Sequence, residues 1–171
     1  MKILLAADGS AFTQKALTFV AGHKSLVGSD DEIVVVNVQA PVPGRVTSML
    51  GSADIAAYHA EESSKVLEPV KTFLEQNALR HRCLAVIGSA VEEIILAAKN
   101  EQVELIVMGT HGHGWIGRAL MGSVAQRVVA DSVVPVLLVK SSLQRRFHDP
   151  RRQACSWQSD ATGRSAHARR R

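Results

Sequence analysis

Glycines cluster in one short segment of the chain, and their spacing is suited to holding an anion. The segment from Gly109 to Gly122 contains five glycines in fourteen residues, follows an apolar run over residues 103–108 and precedes an amphipathic stretch that begins near Ser123. Glycine has no Cβ, so its backbone N–H can approach a bound anion closely. A helix that starts directly after such a loop adds unpaired N–H groups and the positive end of its dipole. The sequence therefore predicts a phosphate-binding loop between a strand and a helix, and a nucleotide is the first ligand to consider.

Five apolar segments alternate with helical patterns and predict the elements that position this loop. The predicted strands are residues 2–7, 33–38, 82–87, 103–108 and 134–139. Apolar residues at helical spacing predict four helices, within residues 12–20, 66–74, 94–98 and 124–129. Pro69 lies in the second of these helical patterns and should kink or break it. Residues 33–36 of the second strand and 105–108 of the fourth are continuously apolar, as in strands buried on both faces of a parallel sheet. The chain is therefore predicted to be a doubly wound α/β protein.

The composition fits one domain with a basic C-terminal extension. Apolar residues make up 46% of the 171 residues, which is enough for a core. Residues 141–171 hold eight arginines and two aspartates, so they carry a charge of +6 and leave −2 for the first 140 residues. We expect residues 1–140 to form the domain and residues 141–171 to be a disordered basic tail. A mildly acidic domain with 4% aromatic residues has few means of binding nucleic acid, so that partner is expected, if at all, at the tail.

Membrane, secretion and metal-site signals are weak in this sequence. No apolar run approaches the roughly 18 residues that span a bilayer. The first residues are charged too soon for a signal peptide. The two cysteines, Cys83 and Cys155, provide neither a disulfide framework nor a zinc site. We therefore expect a cytoplasmic protein with no membrane contact and no metal site of its own.

Three glycine patterns compete for the loop residues. Residues 112–117 match the dinucleotide pattern G-x-G-x-x-G, but they follow the fourth strand, and no acidic residue ends the next strand to bind a ribose. Residues 117–123 resemble a P-loop that lacks its lysine, and phosphoryl transfer is hard to build without that cation. The third pattern, G-x-x-G-x9-G-[S/T], is met in full by Gly109, Gly112, Gly122 and Ser123.

With this third pattern and its surroundings, the sequence resembles the universal stress protein family. The resemblance covers about residues 1–140 and includes Asp8 after the first strand, Val38 at the end of the second and Gly88 before the third helix. It implies a three-layer α/β sandwich with a five-stranded parallel sheet in the order 3-2-1-4-5, Rossmann-like and similar to the adenine nucleotide alpha hydrolases. In the ATP-binding branch of the family, the nucleotide lies at the carboxyl ends of the strands, where such sheets bind ligands.

The resemblance assigns five positions to the nucleoside side of the site and its surroundings. Ala7 and Asp8 would contact the adenosine. Main-chain groups of Val38 would recognise the edge of the adenine ring. Met108 and His111 would lie beside the ribose and the phosphates.

Five further positions are implied at the phosphates. Gly109 and Gly112 would approach the ribose and the phosphates closely, and the N–H groups of Gly122, Ser123 and Val124 would bind phosphate oxygens. The expected ligand is ATP, and Mg²⁺ or Mn²⁺ could arrive bound to its phosphates. No residue is assigned a catalytic role.

The fifth strand, from Val134 to Val139, would form an edge of the sheet. A bare apolar edge favours association, and Pro135 fits the start of an edge strand. The resemblance implies that this strand pairs with its twin across a two-fold axis. We therefore expect a homodimer.

These features together predict a dimeric, ATP-binding universal stress protein that acts as a nucleotide-dependent sensor or regulator of the stress response. Two alternatives stay open: a dimeric interaction module of the same fold that holds no nucleotide, and a slow ATPase. Residues 39–53 form a long segment rich in proline, glycine and serine. This segment is either a plain connector or a part that moves when nucleotide binds.

Overall fold

Strands and helices alternate along the chain. A computed structural model describes residues 1–23, 25–28, 30–44, 51–112 and 121–140. In order, these residues form β1 (Lys2–Ala6), α1 (Ala11–Gly22), β2 (Glu32–Gln39), α2 (Ser52–Gln76), β3 (His81–Ile87), α3 (Ala90–Asn100), β4 (Leu105–Gly109), α4 (Ser123–Asp131) and β5 (Val136–Val139). The strands pair in parallel in the order β3-β2-β1-β4-β5. The predicted sheet topology is confirmed.

The sheet is buried between two layers of helices because its strands carry apolar side chains on both faces. Ile3, Leu5 and Val35 pack with buried residues of α1 and α2 on one face. Leu4 and Val36 pack with α3 and α4 on the other face. Continuous apolar strands therefore produce the three-layer sandwich that the sequence predicts.

Pro69 was predicted to kink or break its helix, and the predicted break is wrong. Helix α2 runs without interruption from Ser52 to Gln76 with Pro69 inside it. Pro69 has no N–H to donate to the carbonyl four residues earlier in the helix. Because Pro69 is exposed, that carbonyl is on the solvent side. Leu67 and Val70, on either side of it, are buried in the core. Packing on both sides of the proline therefore outweighs its local cost.

Helix α2 also begins earlier than its apolar residues indicate. Its first half buries His59 and Ser63 rather than aliphatic side chains, so a search for apolar spacing misses it. Because the helix starts at Ser52, the predicted connector over residues 39–53 is shorter by its last two residues. Residues 45–50 of that connector and the predicted tail, residues 141–171, lie outside the described residues, and both expectations stay predictions.

Charged residues join three strands at the amino-terminal edge of the sheet. Lys2 Nζ lies 3.7 Å from a carboxylate oxygen of Glu32 and 4.0 Å from one of Glu101. Arg82 pairs with the same two carboxylates, with its Nε 3.3 Å from Glu32. These four residues, which we call the edge ion cluster, connect β1, β2, β3 and the end of α3.

The opposite, carboxyl-terminal edge of the sheet is where the chain changes direction. After β1 the chain enters α1 on one face, whereas after β4 it leads to α4 on the other. Such a switch point leaves a crevice between neighbouring strands.

Within the described ranges, no helix is both long enough and apolar enough to cross a membrane.

Candidate functional site

A cavity of about 290 Å³ opens at this switch point, between the carboxyl ends of β1, β2 and β4. All ten residues predicted to form the site line it: Ala7, Asp8, Val38, Met108, Gly109, His111, Gly112, Gly122, Ser123 and Val124. They come from four separate segments of the sequence. The fold brings them together because the carboxyl ends of parallel strands meet at one edge.

The lining also includes seven residues that the sequence prediction missed: Ala6, Thr13, Val36, Ala90, Ile94, Thr110 and Ala125. Val36 could have been inferred, since residues two apart on a strand face the same side. Thr110 and Ala125 are sequence neighbours of predicted residues. No sequence signal marks Ala90, Ile94 or Thr13, because packing of α3 and α1 against the sheet brings them to the cavity.

The carboxylate of Asp8 is held by the first turn of α1. Asp8 Oδ1 accepts hydrogen bonds from Thr13 Oγ1 at 2.7 Å and from the backbone N–H of Ser10 at 3.0 Å. The N–H of Asp8 in turn donates to Thr13 Oγ1 at 3.1 Å. Ser10 is the N-cap of α1, so the capping function belongs to Ser10, and Asp8 is positioned beside the cavity.

Two glycines of the loop are required for close contacts rather than for unusual backbone angles. A Cβ on Gly112 would overlap Oδ2 of Asp8. A Cβ on Gly109 would lie 2.5 Å from Phe12 Cβ and 3.2 Å from the carbonyl oxygen of His111. The absence of side chains at these positions therefore lets residues 109–112 lie directly against Asp8 and α1; residues 113–120 of the loop lie outside the described residues.

His111 lies between the loop and α1. Its ring centroid is 5.1 Å from that of Phe12, and its Nδ1 is 3.1 Å from Thr110 Oγ1. Thr110 is buried, and its backbone N–H donates to the carbonyl of Val139 at 3.2 Å. These contacts fix the start of the glycine loop to both α1 and β5.

Helix α4 directs its amino terminus at the cavity. Its N-cap is Gly122, which provides no side-chain oxygen, and the N–H of Gly122 donates to the carbonyl of Thr110 at 2.8 Å. The first helical N–H groups, from Ser123 to Ala125, have no acceptor within the described part of the chain, and the first turn carries no acidic residue. An exposed helix amino terminus of this kind favours an anion.

The backbone of Val38 points into the gap beyond β1. Ala7 N–H donates to the carbonyl of Val36 at 2.9 Å, whereas Gly88 N–H donates to the carbonyl of Gln39 on the other side of β2. Alternate residues of a parallel strand bond to the same neighbour, so Val38 directs its N–H and C=O toward β1. Strand β1 has already ended, and neither group bonds to another residue that the structure describes.

Titratable groups elsewhere in the described ranges do not form a second candidate centre. No three His, Cys, Asp or Glu side chains within those ranges converge to hold a metal ion. Cys83 lies half-buried on β3, away from the cavity lining, and burial raises the pKa of its thiol. A raised pKa lowers the thiolate fraction and with it the reactivity of the cysteine.

Comparison with known proteins agrees with this architecture. The model of the universal stress protein family matches residues 1–140. The chain belongs to this family. The "universal stress protein in QAH/OAS sulfhydrylase 3'region" of Thermus aquaticus is 36% identical over 143 residues, which cover 81% of this chain and 97% of that protein.

Solved structures of universal stress proteins also match. MJ0577 of Methanocaldococcus jannaschii is 30% identical as a curated sequence, over 81% of this chain and 94% of that protein. Its solved structure gives a TM-score of 0.70 with the same two coverages. The universal stress protein from Archaeoglobus fulgidus in complex with dAMP gives a TM-score of 0.57 at 22% identity, over 82% of this chain and 98% of that chain. This last likeness is one of fold.

Proposed function

We propose that this universal stress protein binds ATP at the cavity and acts in the cytoplasm as a dimeric, nucleotide-dependent regulator of the stress response. The observation that carries the proposal is the convergence of the α4 amino terminus with the glycine loop, Asp8 and Val38 on one cavity. A polyphosphate, a ribose and a base are each bound by a different kind of group. The lining of this cavity offers a suitable group for each of the three.

The phosphate side of the site is built from backbone amides. The N–H groups of Ser123, Val124 and Ala125 meet the cavity at the positive end of the α4 dipole. Ser123 is exposed, and its hydroxyl adds one more donor to this group. Because Gly112 has no side chain, the carboxylate of Asp8 can lie directly against it at the border of this phosphate side.

The base side is apolar and ends in one pair of main-chain groups. Val36, Ile94 and Met108 supply aliphatic surface on which a flat ring can pack. The N–H and C=O of Val38 form an adjacent donor and acceptor, which complement the N1 acceptor and the 6-amino donor of adenine. Asp8 follows β1, which lies between β2 and β4 in the sheet, and its carboxylate lines the same cavity, where it can accept hydrogen bonds from ribose hydroxyls.

The same lining favours holding a nucleotide over transferring its phosphate. Among the described lining residues there is no lysine or arginine, and Asp8 is the one carboxylate. In phosphoryl-transfer sites, a lysine, an arginine or a metal ion neutralises the charge that develops in the transition state. The complex with dAMP of the related Archaeoglobus fulgidus protein supports an adenine nucleotide as the class of ligand.

The dimer would form through β5. Ile106 N–H donates to the carbonyl of Pro135 and Thr110 N–H to that of Val139, so the odd-numbered residues of β5 bond to β4. Val136 and Leu138 therefore direct their backbone groups away from the sheet. These groups have no partner among the residues that the structure describes, and such an edge between aliphatic side chains is suited to pairing with a second copy.

The test is to identify what the 171-residue chain holds. Protein purified without heat or denaturant is then unfolded, and the released small molecules are identified by mass spectrometry. Protein stripped in denaturant and refolded is titrated calorimetrically with ATP, ADP and AMP. We expect a co-purifying adenine nucleotide and saturable binding of ATP. If neither is observed, the interaction module without nucleotide replaces the proposal. If ADP is released continuously by the wild type and not by Asp8→Ala, the slow ATPase replaces it.

A further inference from the structure

One buried side-chain amide lies where β1 and β2 separate. Asn37, on the second strand, is 2% exposed, and its Nδ2 donates to the carbonyl oxygen of Ala7 at 2.8 Å. Its Oδ1 accepts from Gln39 Nε2 at 3.0 Å. The bond to Ala7 fixes the orientation of the amide, since a carbonyl oxygen can only accept a hydrogen bond.

In a regular parallel sheet, the Ala7 carbonyl that Asn37 occupies would accept a backbone hydrogen bond from β2. Ala7 N–H donates to Val36 at 2.9 Å. In an unbroken parallel ladder, the next bond would run from the N–H of Val38 back to the carbonyl of Ala7. In this protein the side chain of Asn37 makes that bond instead, and the N–H of Val38 has no acceptor among the described residues.

We infer that Asn37 is a positioning residue that keeps the N–H of Val38 available to a nucleobase by occupying the carbonyl of Ala7. The inference rests on the proposed function, because it concerns base selection at the same site. Asn37 itself faces the opposite side of β2 from the cavity, among residues packed against α1 and α2, and is absent from the cavity lining. It acts through Val38 alone.

This arrangement determines which purine is preferred. Adenine presents an acceptor at N1 and a donor at its amino group, so it matches the N–H and C=O of Val38. Hypoxanthine presents a donor at N1 and an acceptor at its carbonyl, which reverses the pattern. If the Asn37 amide is lost, the buried carbonyl of Ala7 requires another donor. The donor that a continued parallel ladder would supply is the N–H of Val38, and its capture by Ala7 removes the adenine contact.

The experiment compares ATP and ITP binding to the full chain and two variants. Asn37→Asp and Asn37→Leu both remove the donor, one with a polar and one with an aliphatic side chain. Calorimetric titration should show ATP affinity falling about tenfold in both, which corresponds to about 1.4 kcal/mol, whereas ITP affinity should change less than about twofold. Gln39→Met is the matched control, because it leaves the bond from Asn37 to Ala7 intact and should keep the wild-type preference.

Each result is decisive. An equal fall for ATP and ITP would mean that Asn37 is merely structural, and an unchanged ATP preference would mean that it has no role in base selection. Either outcome overturns the inference while leaving the proposed function in place. Failure of the wild type to bind ATP overturns both.

A second measurement needs no variant and covers the case in which Asn37 substitutions unfold the protein. Amide hydrogen exchange of the wild type should show Val36 protected with or without nucleotide. Val38 should exchange quickly alone and become protected when ATP, but not ITP, is added. Strong protection of Val38 without nucleotide would contradict the inference.

Discussion

The carboxylate of Asp8 fills the space that a side chain at Gly112 would need. Asp8 follows β1 and Gly112 belongs to the loop after β4, so this contact joins the two strands between which the sheet changes direction. Because Thr13 and Ser10 fix one oxygen of the carboxylate, Asp8 cannot swing away without losing hydrogen bonds. The position of the glycine loop and the position of Asp8 are therefore interdependent.

Gly112→Ala should weaken ATP binding without unfolding the protein. The added methyl group overlaps Asp8 Oδ2, so either the carboxylate or the loop must move. We expect ATP affinity to fall at least about tenfold, or about 1.4 kcal/mol, in calorimetric titration. Gly22→Ala is the matched control, since a Cβ at Gly22 meets nothing within 4 Å. Wild-type affinity in Gly112→Ala would contradict the proposed contact.

Gly122→Val tests the phosphate side separately. Gly122 has φ −71° and ψ 156°, which any residue can adopt, and a Cβ there would contact Thr110 O at 3.4 Å. The fold should therefore tolerate the change, while the branched side chain occupies space in front of the α4 amino terminus. We expect at least a tenfold loss of ATP affinity, about 1.4 kcal/mol, by calorimetry. Val129→Thr, at an exposed position on the same helix, should bind as the wild type does.

Thr13 should affect both stability and binding. Thr13→Val keeps the shape of the side chain but removes the donor to Asp8 Oδ1 and the acceptor for Asp8 N–H. Loss of these part-buried bonds should lower the free energy of unfolding by about 1–3 kcal/mol in urea denaturation, and ATP affinity should fall with it. Thr13→Ser retains the hydroxyl and should restore most of both quantities. Identical behaviour of the valine and serine variants would show that the hydroxyl does not matter.

Proline substitutions on β5 can separate the fold from the proposed dimer. Leu138→Pro removes an N–H that points away from the sheet, whereas Leu137→Pro removes one that faces β4. Light scattering should show a monomer for Leu138→Pro with its secondary structure retained, and Leu137→Pro should be strongly destabilised. A wild type that is already a monomer, or a dimer that survives Leu138→Pro, would contradict the β5 interface.

Cys83 should be slow to react at neutral pH. Burial raises the pKa of the Cys83 thiol, so at neutral pH its thiolate fraction is smaller than that of a free cysteine. The thiol ionises only at a higher pH than a free cysteine does. In a Cys155→Ser background, alkylation with iodoacetamide should be slower than for a short cysteine peptide. It should accelerate in alkaline buffer and on unfolding in urea. Peptide-like rates for the folded protein at neutral pH would contradict the burial of this thiol.

The resemblance to the universal stress proteins was sufficient to predict the sheet topology, which the structure confirms. The residues predicted for a nucleotide site line one cavity, because the strands that carry them end at the same edge of the sheet. Once β1 and β4 are parallel neighbours, Asp8 and Gly112 must come to the same edge of the sheet. The site residues that come from helix packing were not predictable in this way. Ile94 looks like any core residue in the sequence, and Thr13 like an ordinary residue in the first turn of α1.

The errors have the same physical origin. Pro69 violates a local rule, but burial of Leu67 and Val70 decides the conformation. The first half of α2 lacks an apolar stripe because His59 and Ser63 fill its buried positions. Local patterns describe what a segment prefers alone, and tertiary packing overrides that preference where enough surface is buried.

The two ends of the sheet are held together by different contacts. The edge ion cluster joins β1, β2 and β3 at the amino-terminal edge of the sheet. At the carboxyl-terminal edge, β1 separates from β2 after Ala7. A ligand that enters the cavity therefore contacts the end of the sheet that lies opposite the edge ion cluster. Dyes or immobilisation tags attached beside Lys2 and Arg82 should therefore report on the protein without disturbing its grip.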